Sequence, residues 1–211
     1  MRRLPVYLLL DTSGSMRGEP IEAVKVGLAS LLASLRKDPY ALETVWLSLL
    51  TFDREARELV PLTSLENFVL PSVETPQSGP TMTGLALRRM CELVDRDVRR
   101  STPSDRGDWR PLLFIMTDGA ASDAQLYGEM IPEVQRRGFG TIVGCAAGPK
   151  SKPDELLRLC QSVVLLDTMD SHAFTSFFQW VSTAVNAGNQ SAGLSATFEL
   201  PPPPRDLNLV C

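Results

Sequence analysis

The chain has 211 residues, a net charge of −4 at pH 7, and 44% hydrophobic against 22% charged residues. That length suits one α/β domain whose core is large enough to need neither disulfides nor a structural metal, and the composition excludes wholesale disorder. The mild acidity argues against nucleic-acid binding driven by global charge.

Arg2 and Arg3 precede the apolar run Leu4–Leu10. The run is too short for a membrane helix, contains Pro5, is stopped by Asp11 and lacks a cleavage site, so it reads as a buried first strand. A polar loop, Asp11–Gly18, follows. Pro20 marks the start of a helix on which Ile21, Val24, Leu28, Leu31, Leu32 and Leu35 recur at helical spacing, and Pro39 is expected to end it. Val45–Phe52 is apolar without alternation and is therefore expected to be buried on both faces. Ala56–Leu62, reached by a tight turn at Asp53–Glu55 and carrying Pro61, reads as an antiparallel edge strand. Pro71, Pro76, Gly79 and Pro80 mark 63–80 as a long irregular loop.

A helix is expected from about Thr83 to Arg100, then a polar loop, Ser101–Arg110, and a fourth strand, Leu112–Met116, ending in Thr117-Asp118-Gly119. A helix over 123–137, a fifth strand at Phe139–Cys145, a short helix at Asp154–Leu159 and a sixth strand at Val163–Leu166 come next. The last helix carries Phe174, Phe177, Phe178, Val181 and Val185 on one stripe. The domain is read as 1–187, with a Pro-rich C-terminal tail over 188–211. In the tail, Asn186–Gly193 reads as polar and flexible, Ala196–Leu200 as a strand and Pro201–Pro204 as polyproline II, either packed back or serving as a partner-binding arm.

Alternating strands and helices predict a doubly wound α/β fold: a mostly parallel six-stranded sheet with one antiparallel edge strand and helices on both faces. Ligands of such sheets bind beyond the carboxyl ends of the strands. Three segments converge there by this reading: Asp11-x-Ser13-x-Ser15, the stretch Ser78–Gly84 with Thr81, and Asp118. They offer two carboxylates and three hydroxyls, with no imidazole or thiolate. Hard oxygen donors select Mg²⁺, with Mn²⁺ or Ca²⁺ as alternatives, and disfavour zinc and copper. Two carboxylates neutralise a divalent ion, and hydroxyl ligands leave it able to accept one further carboxylate from another molecule.

The pattern D-x-S-x-S, a separate Thr and a separate Asp resembles the metal-ion-dependent adhesion site of von Willebrand factor A domains, over residues 4–187. The matching positions are Asp11, Ser13, Ser15, Thr81 and Asp118. The resemblance implies a Rossmann-like fold and a non-enzymatic module that binds protein partners through the metal. A narrower resemblance, carried by Arg2–Met16, Gly18–Lys25 and Asp38–Thr44, is to the bacterial tellurium-resistance TerY-type proteins. It implies a cytoplasmic adaptor in a stress-response system with a PP2C-type phosphatase and a Ser/Thr kinase-like protein.

Other chemistry is less well supported. A phosphatase or phosphotransferase using Asp11, as in haloacid-dehalogenase-like enzymes, would want a second carboxylate at position 13, which is Ser. No P-loop or G-x-S-x-G elbow occurs, and the single histidine, His172, rules out multi-histidine zinc sites. Cys91, Cys145, Cys160 and Cys211 form no C-x-x-C pair and read as reduced thiols. The arginines of 88–110, interleaved with Asp and Glu, read as a solvated face laced with ion pairs. The alternative is a docking face on a metal-independent scaffold.

Overall fold

A computed structural model describes residues 2–191, 200–204 and 207–210. The strands are β1 (Leu4–Asp11), β2 (Val45–Phe52), β3 (Ala56–Ser64), β4 (Leu112–Thr117), β5 (Thr141–Ala147), β6 (Ser162–Leu166) and β7 (Asn208–Val210). The helices are α1 (Glu19–Leu35), α2 (Pro39–Thr44), α3 (Thr83–Asp97), α4 (Ala124–Arg136), α5 (Pro153–Leu157) and α6 (Ser171–Ser191).

Every residue of β1 is buried, because the strand is covered on both faces. Side chains alternate. Leu4, Val6, Leu8 and Leu10 join a core shared with α1, α2 and α6, while Tyr7 and Leu9 join a second core under α3, α4 and α5. Parallel pairing of β1 with both β2 and β4 leaves no edge there for water. The strand order is β3-β2-β1-β4-β5-β6-β7. The chain thus moves outward from β1 to β2 and β3, then returns to β4 on the other side. The order reverses between β1 and β4, which opens a crevice at their carboxyl ends.

The α/β class, the parallel centre and the antiparallel β3 edge match expectation. The strand count does not: the sheet has seven strands, not six. The addition is β7, which pairs antiparallel with β6 through Val163↔Val210, Val164↔Leu209 and Leu165↔Asn208. Three residues are too few to show a period, so only the open edge of β6 reveals the strand. The strand expected at 196–200 falls on residues outside those described, apart from Leu200, which is irregular.

Other differences are local. Pro39 does not end α1 but opens α2, with the Asp38 carboxylate accepting the Tyr40 N–H at 2.9 Å as an N-cap. The α6 helix runs across position 187 and into the segment read as flexible, as far as Ser191, because its buried side continues through Ala184, Val185 and Gly188. The described part of the tail packs back on the domain. Leu207 is buried and the Trp180 indole N–H donates to the Pro201 carbonyl at 3.1 Å.

The arginine face is an ion-pair lattice. Arg89 and Arg96 reach Glu58 of β3, Arg96 also binds Asp97, and Arg137 binds Asp95. Cys91, Cys145 and Cys160 are buried free thiols. Among the described residues no helix is long and apolar enough to cross a membrane.

Candidate metal centre

At the end of β1 the Thr12 N–H still donates to Phe52 of β2, at 2.8 Å. The chain then turns sharply over Gly14–Met16. Met16 N–H donates to the Ser13 carbonyl at 3.0 Å and Arg17 N–H to that of Gly14 at 3.3 Å, with the Met16 side chain buried beneath. The turn puts Ser13 and Ser15 side by side, their hydroxyl oxygens 3.1 Å apart. Ser15 is exposed and Ser13 buried, so the pair leads from the interior to solvent.

Gly14 is fixed by crowding. A Cβ there would lie 2.8 Å from the Ser78 Cα and 3.1 Å from the Gly79 nitrogen. The Pro-rich loop therefore rests directly on the serine turn.

The Asp11 carboxylate is fully buried and bonded on both oxygens. Oδ1 accepts the Ser13 N–H at 2.7 Å and Oδ2 accepts the Thr117 hydroxyl at 2.6 Å. Asp11 thus ties its own loop to β4. Burial pushes its pKa up to about 6; the Thr117 and Ser13 bonds oppose that rise and the negative charge of Asp118 adds to it. The Ser15 hydroxyl donates to Asp118 Oδ1 at 2.9 Å. A continuous chain of contacts therefore runs Asp11, Ser13, Ser15, Asp118.

Thr81 approaches from the other side. It is nearly buried, and its Oγ1 lies 3.9 Å from where a Cβ on Gly119 would stand, against the backbone that follows Asp118. Among the described residues its side chain makes no hydrogen bond to the other four. All five predicted positions thus meet at one sheet edge, four through polar contacts and Thr81 through packing.

Sequence reasoning places loops 53–55, 76–80 and 119–123 near the rim as candidate sources of specificity, but does not show the supporting bonds of four residues. Thr117 serves as the donor to Asp11. Asp53 forms a hub: its carboxylate accepts the Thr12 hydroxyl at 3.2 Å, the Glu55 N–H at 3.1 Å and an Arg57 N–H at 2.9 Å, while its carbonyl accepts Met82 N–H at 3.0 Å. Ser122 and Asp123 bond to the segment carrying Thr81 and to the start of α3. The Ser-Asp pair before a helix reads in sequence as an N-cap of that helix. Nothing local shows that its bonds go elsewhere.

The donor set can be tested against a cation. Among the described residues no group of three His, Cys, Asp or Glu side chains forms a metal cluster. A softer, charge-rich zinc site of that kind is therefore not what this edge resembles. What is present is two carboxylates bridged by hydroxyls. Neither Asp11 nor Asp118 forms an ion pair among the described residues, although Asp53 nearby is matched by Arg57. Buried carboxylates without a cationic partner are costly, and a small hard divalent ion is the partner that hydroxyl and carboxylate oxygens fit.

The sequence pattern of the family described as von Willebrand factor type A domain matches residues 6–176. No curated protein matches the chain. Among solved structures, proximal thread matrix protein 1 (PTMP1) from the mussel byssus superposes with a TM-score of 0.64 at 15% identity, covering 86% of this chain and 47% of that one. The same protein "with zinc occupied MIDAS motif" gives a TM-score of 0.62 at 13% identity, covering 86% and 47%. A von Willebrand factor type A protein from Catenulispora acidiphila gives 0.64 at 17% identity, covering 88% and 43%. These likenesses establish the fold. This chain spans less than half the length of each of those neighbours.

Proposed function

The chain belongs to the von Willebrand factor type A domain family, and from that premise we propose that it is a non-enzymatic protein-binding module whose partner completes a divalent-cation site. Asp11, Ser13, Ser15, Thr81 and Asp118 would hold the ion, directly or through water. The ion would supply the positive charge that the two carboxylates lack, and a Lewis-acid position for an Asp or Glu of the partner. The observation that carries the reading is the pair Asp11 and Asp118, linked through serine hydroxyls at an exposed rim and matched by no cationic side chain among the described residues.

The oxygen-only donors favour Mg²⁺, with Mn²⁺ or Ca²⁺ next. Because PTMP1 carries zinc in its own motif, Zn²⁺ belongs in any titration. The resemblance of Arg2–Met16, Gly18–Lys25 and Asp38–Thr44 to TerY-type proteins supports a narrower reading. In it the chain is a cytoplasmic adaptor in a bacterial tellurium-resistance or stress-response system, with a PP2C-type phosphatase and a Ser/Thr kinase-like protein as partners.

The test is calorimetric titration of metal-free protein with Mg²⁺, Mn²⁺, Ca²⁺ and Zn²⁺, followed by capture of the candidate phosphatase and kinase with and without EDTA. Asp11→Ala should weaken metal binding by more than the roughly 10–100-fold that changes behind the ligands cost, and should abolish capture. Capture that survives both the variant and the chelator would falsify the mechanism.

An Asp11-dependent phosphotransferase is the competing reading. Both Asp11 oxygens are held by Ser13 and Thr117 in a fully buried setting, which disfavours a nucleophile facing substrate. Turnover of a generic phosphoester with Mg²⁺, lost in Asp11→Asn, would replace the binding-module reading with that one.

A further inference from the structure

Thr81 and Asp118 lie on separate loops, and no side-chain bond joins them among the described residues. We propose that Ser122, supported by Asp123, is the positioning residue that holds Thr81 in register with Asp118 for cation binding; the inference rests on the metal-centre reading above.

The geometry is specific to Thr81. Ser122 N–H donates to the Thr81 carbonyl at 2.8 Å, and the Ser122 hydroxyl accepts the Thr81 N–H at 3.0 Å. One residue thus engages both backbone polar groups of one candidate ligand. Only Gly119, Ala120 and Ala121 separate Ser122 from Asp118, so the clamp spans a short loop with little slack.

The neighbours of Ser122 anchor that loop. Asp123 Oδ1 accepts the Gly84 N–H at 3.0 Å and Oδ2 accepts the Leu85 N–H at 2.8 Å, capping the start of α3. Asp123 stands at the N-cap of α4 yet makes no side-chain cap to α4. Its bonding capacity goes to the helix that follows Thr81. Gly84 lets the two helices meet, since a Cβ there would collide with the backbone at Leu126 and Tyr127. On the other side, Ala121 N–H donates to Glu155 Oε2 at 3.0 Å. Residues 121–123 therefore tie the Asp118 loop to α5, to Thr81 and to α3 in succession.

The chemistry explains why such a clamp matters. A neutral hydroxyl is a weak ligand, and it contributes only when its oxygen is held in place at no further entropic cost. Thr81 sits in an irregular stretch between β3 and α3, without a helix or ladder of its own. Removing the Ser122 hydroxyl leaves every proposed ligand and the Ser122 N–H bond to the Thr81 carbonyl intact, but takes away the acceptor of the Thr81 N–H and so loosens Thr81 relative to Asp118.

The experiment uses the full chain, stripped of metal and titrated calorimetrically with Mn²⁺, with the metal-free melting temperature recorded in parallel. Ser122→Ala should raise the Mn²⁺ Kd about tenfold or more, and Ser122→Thr, which keeps the hydroxyl, should restore it. Should Ser122→Ala fail to fold, Asp123→Asn serves as the second variant, expected to weaken Mn²⁺ several-fold. A lowered melting temperature with unchanged Kd would mean that the clamp is merely structural and would overturn the proposal. Asp118→Ala separates the two claims. If it abolishes binding while Ser122→Ala binds as the parent does, the positioning role alone fails. If the parent protein binds none of Mn²⁺, Mg²⁺ or Zn²⁺, the metal reading fails and takes the positioning role with it.

Discussion

The two ends of β1 carry opposite solutions to buried charge. At the amino end, Arg3 and Asp108 face each other with bonds at 2.8 and 2.5 Å, Asp108 also accepts the Arg99 N–H, and the Arg3 guanidinium lies 4.9 Å from the Trp46 ring centroid. Arg2 donates to the carbonyls of Gly107 and Asp108. The buried Arg3–Asp108 pair there is matched from within the chain. At the carboxyl end, Asp11 and Asp118 find only hydroxyl and amide donors. The same sheet thus has one pole that is electrostatically closed and one left short of positive charge. Self-matched charge serves the fold, whereas the buried, unmatched carboxylates behind the exposed Ser15 are the ground for the proposed cation site.

The largest expected effect tests the closed pole. Arg3→Ala leaves the Asp108 side chain, only 3% exposed, without its cation, and should destabilise the protein by about 3–5 kcal/mol in denaturant titration. Its Mn²⁺ affinity should stay unchanged in calorimetry; a parallel loss of metal binding would show the poles to be coupled and break the comparison.

A smaller effect sharpens the open pole. In metal-free protein the Asp11 carboxyl titrates at about 6, above its ordinary 3.8. The folded state therefore keeps a proton that the unfolded chain has already lost, so this contribution to stability is complete below about pH 4 and disappears as pH rises through 6. The loss at pH 7 amounts to as much as about 3 kcal/mol. Thermal melts across pH 4–7 should show it, saturating Mg²⁺ should remove it, and Asp11→Asn should flatten it with or without metal. A metal-free parent that gains stability over that window relative to Asp11→Asn would contradict the unmatched-charge account.

The smallest effect lies on the lateral arginine face. Arg96 is 48% exposed and pairs with Glu58 and Asp97, so Arg96→Ala should cost less than about 1 kcal/mol. It should also leave partner capture intact, since its charges are already matched. Loss of capture in that variant would move the interaction surface from the metal rim to this face.

What could be read from the chain follows from where each signal resides. The apolar runs at β1, β2 and β4 were legible because double burial removes polar alternation altogether. The five rim positions were legible because each carries its signal locally: Asp11, Ser13 and Ser15 follow one apolar strand, Asp118 follows another, and Thr81 precedes a helix. Pro39 was misread because proline both ends and begins helices, and the Asp38 cap decides which. β7 was missed because three residues carry no period of their own.

Sequence by itself determined the class of fold and picked out oxygen-bearing residues that meet at one sheet edge, since local burial patterns and residue chemistry are short-range properties. Only the tertiary structure decided that Thr117 binds Asp11, that Asp53 joins three loops, and that Asp123 caps α3 rather than its own helix. Those choices join residues up to 106 positions apart, and a hydrogen bond between distant segments leaves no trace in the spacing of either one.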